Sequence, residues 1–248
     1  MKTILITGCS SGFGLTTVQY FLDRDWKVIA TMRTPRDNVL AGSERLRVLA
    51  LDVTDAESIR QAVEAAGPID VLVNNAGFGL LNVFESMPME LVREVFETNT
   101  FGTMALTQAV LPQFRQRKAG VIVNVTSSVT LRSLPLLSVY TATKAAVNAF
   151  TESLALELRQ FNVRVRLVIP GRSPETRFSA NAQPRMQSRI PEGYASLVQN
   201  VLAGMAQPSP SFTRAQDVAE AVWRAANDPS SPIRIPAGAD AIAWAESR

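Results

Sequence analysis

Histidine is absent from this chain of 248 residues, and cysteine occurs once, at Cys9. The absence of histidine excludes a Ser-His-Asp triad, a Cys-His pair and any histidine-ligated metal. A single cysteine excludes an intrachain disulfide and a zinc site that is built on several cysteines. Acid–base chemistry must therefore come from Tyr, Lys, Asp or Glu, and we expect no metal site.

Charge of one sign and long apolar runs are also scarce. The formal net charge is +3, which is too small an excess to indicate a nucleic-acid partner. No uninterrupted run reaches the ~18 apolar residues of a membrane helix, and the run 4–6 is too short for a signal peptide. With 46% hydrophobic and 19% charged residues, the composition is that of a globular chain. We expect one domain over residues 1–248, in a cytoplasmic protein.

Short apolar runs alternate with segments of helical periodicity over most of the chain. Strands that are apolar on both faces are typical of a parallel sheet covered on both sides, and right-handed crossovers give a doubly wound fold. The sequence therefore predicts a Rossmann-type α/β three-layer sandwich with a mostly parallel sheet of six to seven strands. Strands are predicted at 3–7, 27–31, 46–51, 70–73, 121–126, 163–169 and 233–235. Helices are predicted at 13–24, 55–66 with Thr54 as N-cap, 88–97, 103–117, 140–160 and 216–227.

The alternation stops after Pro170. Residues 171–212 hold five prolines and little periodicity, apart from a helix predicted within 191–205. Since a long irregular segment in a compact domain is usually functional, we expect a substrate lid over about 172–212, inserted after the sixth strand. A disordered insertion is the alternative, and the apolar side chains of the segment argue against it.

A glycine-rich turn lies between the first predicted strand and the first predicted helix. Glycine lets the backbone turn sharply and approach a pyrophosphate closely, and the following helix N-terminus offers free N–H groups. A strand before the turn and a helix after it is the context of a dinucleotide site. The residues predicted to bind the cofactor here are Gly8, Ser10, Ser11, Gly12, Phe13 and Gly14.

The end of the second strand bears on the choice between NAD and NADP. An acid there would bind the ribose 2′-OH, whereas a base would accept a 2′-phosphate. Arg33 follows the strand, and the first acid after the strand is Asp37. Because Arg33 can bind a phosphate together with the hydroxyls of Ser10 and Ser11, the sequence favours NADP. The alternative is that Arg33 is an ordinary surface arginine.

Tyr140 and Lys144 stand four residues apart at the start of a predicted helix and so share a face. An ammonium near a tyrosine stabilises the phenolate and lowers its pKa from the ordinary ~10. Ser127 follows the fifth strand, at the sheet edge where doubly wound folds bind ligands, and can donate to a substrate carbonyl; Ser128 is the alternative. Asn99, in the helical region after the fourth strand, can hold a water that relays protons from Lys144.

Together these features resemble the short-chain dehydrogenase/reductase family, from Met1 to about Thr176. The matching motifs are the turn 7–14, Asp52, Asn74-Asn75-Ala76-Gly77, Asn99, Ser127, Tyr140 with Lys144, and Pro170-Gly171. The resemblance implies hydride transfer at the nicotinamide C4 and a catalytic tetrad of Asn99, Ser127, Tyr140 and Lys144. It implies further cofactor contacts from Asp52, Val53, Asn75, Ala76, Gly77, Tyr140, Lys144, Pro170, Gly171 and Thr176.

Three segments are similar to the branch of the family that holds hydroxysteroid and retinol dehydrogenases, namely 28–33, 217–222 and 237–240. That branch implies a bulky apolar alcohol or ketone. One departure from the family is that Thr176 lies five residues beyond Gly171 instead of four. This departure puts the nicotinamide-amide contact and the lid geometry in question.

The leading hypothesis is an oxidoreductase that uses NADP(H) on a secondary alcohol/ketone pair. Its expected apolar wall consists of Leu134, Leu136, Leu137 and the lid residues Phe178, Tyr194, Leu197 and Val198. The lid also holds four arginines, Arg172, Arg177, Arg185 and Arg189. If their side chains point inward, an acidic substrate is the alternative. An NADP-sensing regulator without turnover is disfavoured by the intact tetrad, and a sugar-nucleotide epimerase or dehydratase by the short chain. The resemblance also implies a homodimer or homotetramer through the helices at 103–117 and 140–160.

Overall fold

The computed structural model of the protein describes residues 1–36, 42–174, 176, 190–207 and 211–247. Within this part of the chain, seven parallel strands form one sheet in the order β3-β2-β1-β4-β5-β6-β7. The strands are β1 (Thr3–Ile6), β2 (Lys27–Met32), β3 (Leu46–Ala50), β4 (Val71–Asn74), β5 (Gly120–Val125), β6 (Val163–Pro170) and β7 (Arg234–Ala237). The predicted doubly wound parallel sheet is confirmed.

Helices connect these strands. They are α1 (Gly12–Leu22), α2 (Ala56–Ala66), α3 (Met89–Phe96), α4 (Gly102–Arg117), α5 (Ser138–Leu158), α6 (Ala195–Ala206), α7 (Ala215–Asn227) and α8 (Ala239–Glu246). A π-helical turn, Glu97–Phe101, joins α3 to α4, and short 3₁₀ turns occur at Phe84–Ser86, Ser128–Thr130, Arg159–Phe161 and Glu192–Tyr194. None of the helices in the described ranges combines the length and the hydropathy that crossing a membrane requires.

Both faces of the sheet are buried, as the apolar runs require. In β1, Ile4 and Ile6 pack with residues of α1 and α7, whereas Leu5 points to the opposite face and packs with residues of α2, α4 and α5. Alternation of side chains between two covered faces explains why the strands are apolar without interruption. The three-layer arrangement follows from this burial.

The predicted ends of the elements lie within two residues of the observed ones, but two expectations were wrong. Asp55, not Thr54, caps α2: its carboxylate accepts hydrogen bonds from the N–H groups of Glu57 at 2.8 Å and Ser58 at 3.1 Å. The Thr54 hydroxyl instead donates to Asp52. The helix α8 was not predicted, because its alanine-rich eight residues show little amphipathic contrast.

Crossovers leave β1 toward both sides, since β1 lies between β2 and β4. In open α/β sheets, such a switch point leaves a crevice at the carboxyl ends of the strands. The loops that follow β1, β2, β4, β5 and β6 all open at this edge, and they carry most of the residues singled out from the sequence.

Candidate active site

The glycine turn packs directly against the loop that follows β4. Gly8 has a φ of +72°, and a Cβ atom there would lie 2.9 Å from the Cα atom of Ala76. A Cβ atom on Gly14 would overlap the carbonyl oxygen of Gly8. The amide of Asn75 donates to the carbonyl of Thr7 at 2.8 Å and to that of Gly8 at 3.3 Å. We call residues 7–14 and 75–77 the glycine wall, because the backbone defines its shape.

The glycine wall borders a cavity of about 630 Å³. The predicted site residues that line it are Gly8, Ser10, Ser11, Gly12, Phe13, Arg33, Asp52, Val53, Asn75, Ala76, Gly77, Tyr140, Lys144 and Thr176. The cavity runs along the sheet edge from the end of β3 to the end of β5, which is four strand spacings or about 19 Å. Such a groove suits an extended dinucleotide, with backbone N–H groups along its middle.

Sequence reasoning did not single out several residues of the cavity lining, among them Glu94, Glu97, Thr98 and Thr126. The Thr126 hydroxyl is buried and has no hydrogen-bond partner among the described residues. A buried polar atom of this kind beside a cavity is satisfied when a polar ligand enters. Its position next to Ser127 was the only available signal.

Arg33 and Asp52 stand at one end of the cavity. Arg33 is exposed, and its charge acts on the Asp52 carboxylate. Partial burial raises the pKa of Asp52, but hydrogen bonds from Thr54 and the charge of Arg33 outweigh it and hold that pKa below its usual range. The two side chains therefore present an exposed cation beside a carboxylate that stays ionised.

Tyr140 lies in the first turn of α5, at the other end of the cavity. It is buried, and its hydroxyl is hydrogen-bonded to Ser127. Burial raises the pKa of Tyr140 to about 12, and the hydrogen bond with Ser127 opposes that rise in part. Of the two candidate serines, the structure thus brings Ser127 to the tyrosine, whereas Ser128 is buried in the 3₁₀ turn that follows β5.

Lys144 is also buried, one helical turn beyond Tyr140. Its Nζ atom donates to the carbonyl of Val125 at 3.1 Å and lies 5.9 Å from the centroid of the Tyr140 ring. Burial lowers the pKa of Lys144 to about 8. The net effect on Tyr140 is therefore a raised pKa, because burial of the phenol dominates. The lowering contribution expected from Lys144 stays a prediction.

Asn99 lies in the π-helical turn and clamps the loop that follows β4. Its side chain accepts from the N–H of Phe78 and donates to the carbonyl of the same residue, both at 3.0 Å. It also donates to the hydroxyl of Thr143 at 3.3 Å. The side chain therefore fixes the end of the glycine wall near Lys144, and a part in a water relay stays a prediction. Irregular π turns are often found at functional sites.

The loop after β6 reaches the cavity through Thr176. A Cβ atom on Gly12 would lie 3.5 Å from Cγ2 of Thr176, so this side chain covers the glycine turn. The N–H and the hydroxyl of Thr176 both donate to the carbonyl of Ser173, at 3.4 Å and 3.0 Å. Pro170 ends β6 and Gly171 follows it, and neither borders the cavity.

Arg172 does not point toward a substrate. Its guanidinium donates to the carbonyls of Met205 and Gln207 at the end of α6. The other three lid arginines, together with Phe178, lie outside the described residues. The helix predicted within 191–205 is confirmed by α6, which occupies 195–206. That this segment acts as a substrate lid stays a prediction.

An apolar wall lies on the far side of Tyr140. We give this name to Leu134, Leu136, Leu137, Tyr194 and Val198, which belong to one hydrophobic cluster around the buried tyrosine. The Tyr194 hydroxyl is also hydrogen-bonded to the carboxylate of Glu85, which ties the start of α6 to the 3₁₀ turn at 84–86. Of the other residues expected in this wall, Leu197 is 40% exposed and faces away from the cluster, and Phe178 lies outside the described residues. That the cluster contacts a substrate stays a prediction.

Leu136 adopts a left-handed backbone conformation with a φ of +64°. This conformation costs a residue with a Cβ atom roughly 1–2 kcal/mol. The carbonyl of Leu136 accepts a hydrogen bond from the N–H of Asn82 at 2.9 Å. The conformation is thus held by a hydrogen bond from the segment that follows β4, and Leu136 packs in the hydrophobic cluster that contains Tyr140.

Residues 2–187 match the family model described as short chain dehydrogenase. The chain belongs to the short-chain dehydrogenase family. It is 40% identical over 174 residues to 3-ketodihydrosphingosine reductase of Bacteroides thetaiotaomicron, a match that covers 68% of this chain and 63% of the relative. It is 41% identical over 181 residues to human retinol dehydrogenase 8, covering 68% of this chain and 58% of the relative. The chain thus spans about three fifths of the length of these curated relatives.

Solved structures of this family extend the likeness to the whole fold. A short-chain dehydrogenase from Streptomyces avermitilis superposes with a TM-score of 0.85 at 32% identity, over 99% of this chain and 91% of that one. Serine dehydrogenase in its closed form with NADP⁺ gives 0.80 at 29% identity, over 95% and 94%. A 3-ketoacyl-(acyl-carrier-protein) reductase from Brucella melitensis with NADH gives 0.79 at 28% identity, over 95% and 96%. These neighbours bind either nicotinamide cofactor, so the preference has to be argued from this chain's own residues.

Proposed function

We propose that this short-chain dehydrogenase is an NADP(H)-dependent oxidoreductase that interconverts a secondary alcohol and a ketone on an apolar substrate. The observation that carries the proposal is the hydrogen bond between Ser127 and Tyr140. Tyr140 and Lys144, one helical turn apart, line the end of the cavity. This arrangement offers two hydroxyls to one carbonyl oxygen. A regulator that only binds NADP has no use for such a pair.

The cofactor, when bound, supplies the hydride, and the chain supplies binding and proton transfer. In the direction of reduction, Tyr140 donates its proton to the carbonyl oxygen while the Ser127 hydroxyl donates a hydrogen bond to the same atom. The raised pKa keeps Tyr140 protonated at neutral pH, as a general acid requires. Lys144 lies 5.9 Å from the Tyr140 ring, so its charge stabilises the phenolate that remains after transfer.

The preference for NADP is supported by Arg33. The guanidinium is exposed at the end of β2 on the cavity border, where a Rossmann fold places the adenosine ribose. Ser10 and Ser11, each with a hydroxyl group, line the same cavity as Arg33. A planar cation with two neighbouring hydroxyls suits a 2′-phosphate.

The apolar nature of the substrate is supported by the wall around Tyr140. Its buried members are leucine and valine side chains, and Arg172, the lid arginine in the described part of the chain, is bonded to carbonyls instead of facing the pocket. Two of the relatives are named for retinol and for 3-ketodihydrosphingosine, which are largely hydrocarbon molecules. Burial of apolar surface contributes about 25 cal/mol per Å², so such substrates gain affinity from this wall.

The test is a panel of neutral apolar ketones, acidic ketones and their alcohols, followed by the change of NADPH or NADH absorbance at 340 nm. We expect turnover of neutral apolar ketones, with a higher kcat/KM for NADPH than for NADH. Turnover of acidic ketones alone would contradict the apolar assignment. NADPH binding without turnover of any carbonyl would favour the regulator.

The homodimer or homotetramer expected from the resemblance remains a proposal. It is supported by Leu156 on α5, which is 67% exposed on the face turned away from the sheet. Light scattering at micromolar concentration distinguishes the oligomer from a monomer, and Leu156→Glu should shift the oligomer toward smaller species.

A further inference from the structure

Asp240 belongs to the segment 237–240 that is similar to one branch of the family. It has no role in the proposed proton transfer, which involves Tyr140, Ser127 and Lys144. Its carboxylate is buried in the first turn of α8. One oxygen accepts a hydrogen bond from the N–H of Arg172 at 2.6 Å, and the other accepts from the Thr213 hydroxyl at 2.7 Å. An acid in the first turn of a helix ordinarily faces that helix's own free N–H groups. Here both hydrogen bonds go to residues outside α8.

Thr213 extends the same contact to the preceding residue of the loop, Gly171. Its hydroxyl accepts from the N–H of Gly171 at 2.8 Å, and its own N–H donates to the carbonyl of Arg172 at 2.7 Å. Thr213 is fully buried. Asp240 and Thr213 therefore bind both consecutive N–H groups that follow β6.

The fit leaves no space at this point of the loop. A Cβ atom on Gly171 would overlap the carboxylate of Asp240, so the loop passes the acid at backbone distance. The Arg172 side chain continues from there to the last carbonyls of α6. One buried carboxylate thus holds the start of the segment between β6 and Thr176. It lies 68 residues away from Arg172 in the sequence.

We propose that Asp240, acting with Thr213, is a positioning residue for the described residues of the loop after β6, which are 171–174 and Thr176, and that it thereby sets cofactor binding at the glycine turn that Thr176 covers. The inference rests on the proposed function only in naming that cofactor. Thr176 is the part of this loop that reaches the cavity, so a displaced loop changes cofactor binding before it changes proton transfer by Tyr140.

Two matched pairs of variants test this. Asp240→Ala removes both acceptors. Asp240→Asn can keep one bond to Arg172 and donate to Thr213, whose proton then turns to the Ala237 carbonyl at 2.8 Å. Thr213→Val removes the hydroxyl at nearly constant shape, and Thr213→Ser restores it. Asp217→Ala is the control, because Asp217 is also a first-turn acid but accepts its hydrogen bonds from the N–H of Arg214 at 2.9 Å and from the Arg214 guanidinium.

Three measurements are made on each full-length variant: NADPH affinity by fluorescence, hydrogen exchange of residues 163–176 without cofactor, and kcat with KM for NADPH. In Asp240→Ala and Thr213→Val we expect about tenfold faster exchange at residues 171–172 and about tenfold weaker NADPH binding. The value of kcat should change less than KM. Asp240→Asn, Thr213→Ser and Asp217→Ala should stay near wild type in all three.

The proposal is overturned if Asp240→Ala or Thr213→Val folds and keeps the wild-type exchange and NADPH affinity. It is also overturned if exchange increases while NADPH affinity and KM stay unchanged, since the residues then support the fold alone. If Asp240→Ala does not fold, the Thr213 pair decides. Failure of the proposed function gives a different pattern: the wild type turns over no carbonyl, while exchange and NADPH affinity still report on the loop.

Discussion

The glycine wall, which borders the cavity, and the apolar wall, which packs around Tyr140 behind it, are built from different parts of the chain. The glycine wall is made of backbone, held by positive φ angles and by contacts in which no Cβ atom fits. The apolar wall is made of side chains from the loop 134–137 and from the start of the lid helix. Exchange of a side chain in the second wall changes the shape of the pocket and leaves the strands as they are. The difference shows how one fold can keep its cofactor and accept different substrates.

Tyr140 and Lys144 lie where the two walls meet. Burial acts on both in the direction of the neutral form, raising the pKa of Tyr140 and lowering that of Lys144. The junction therefore combines a protonated phenol with an ammonium that loses its charge more easily than an exposed one. Substitutions in each wall and at the junction test whether the two walls have different roles.

The largest effect is expected at the junction, for Tyr140→Phe. The substitution removes the hydroxyl that donates the proton and keeps the ring that packs in the apolar wall. Turnover should fall by about 10² to 10⁴, whereas the NADPH dissociation constant should change less than threefold. Steady-state rates with NADPH fluorescence measure both, and a variant that keeps a tenth of the wild-type rate would exclude Tyr140 as the general acid.

A single methyl group tests the glycine wall. Gly14→Ala brings a Cβ atom onto the carbonyl oxygen of Gly8, so the turn must open and its N–H groups lose their alignment. We expect NADPH binding to weaken about 10²-fold, as for the loss of two or more backbone contacts. Gly193→Ala is the matched control, because nothing lies within 4 Å of the added atom. Equal NADPH affinity in the two variants would contradict a cavity wall defined by backbone.

Arg33→Asp tests the outer end of the same wall. It replaces the proposed phosphate partner with a second carboxylate beside Asp52. The affinity for NADP should fall about tenfold, as expected for a lost charge-assisted contact, while the affinity for NAD falls less. Titrations of both cofactors against wild type and variant give the ratio. An unchanged ratio of the NADP and NAD affinities would mean that Arg33 is an ordinary surface arginine.

The residues that could be found from the sequence are those whose geometry is local. The glycine spacing, the Tyr140–Lys144 pair and the alternation of strands and helices each lie within a few residues or one period. By contrast, the bonds from Asp240 and Thr213 to the loop after β6 join positions more than 40 residues apart. The direction of the Tyr140 pKa depends on burial, which is a property of the folded chain. Such long-range contacts leave no periodic trace in the sequence.

The apolar wall can be tested with two neighbouring residues of α6. Val198 is buried in the cluster, and Leu197 is 40% exposed. Val198→Ala should raise KM for an apolar ketone about five- to twelvefold, given roughly 1–1.5 kcal/mol for the lost apolar surface. Leu197→Ala should leave KM within twofold. Similar changes for both would mean that the lid helix does not contact the substrate through its buried face.

The smallest effect concerns the stability of the junction at different pH values. The folded-state pKa of Lys144 is about 8, below its ordinary value of about 10.5. Between these values the unfolded chain binds more protons than the folded one, so the contribution of Lys144 to the free energy of unfolding rises with pH. Below pH 8 both states are charged, and the folded protein carries the full cost of the buried ammonium.

Lys144→Met removes this dependence while filling a similar volume. The melting temperature of the variant minus that of wild type should therefore decrease from pH 7.5 to pH 9.5, by about 4–7 °C for a chain of this size. The raised pKa values of Tyr140 and Cys9 affect both proteins alike and cancel in the difference. Lys27→Met, at an exposed position, should show a constant difference. If the difference in melting temperature is also constant for Lys144→Met, the Lys144 ammonium is solvated in the folded protein. The junction would then be as open to water as the end of the cavity at Arg33.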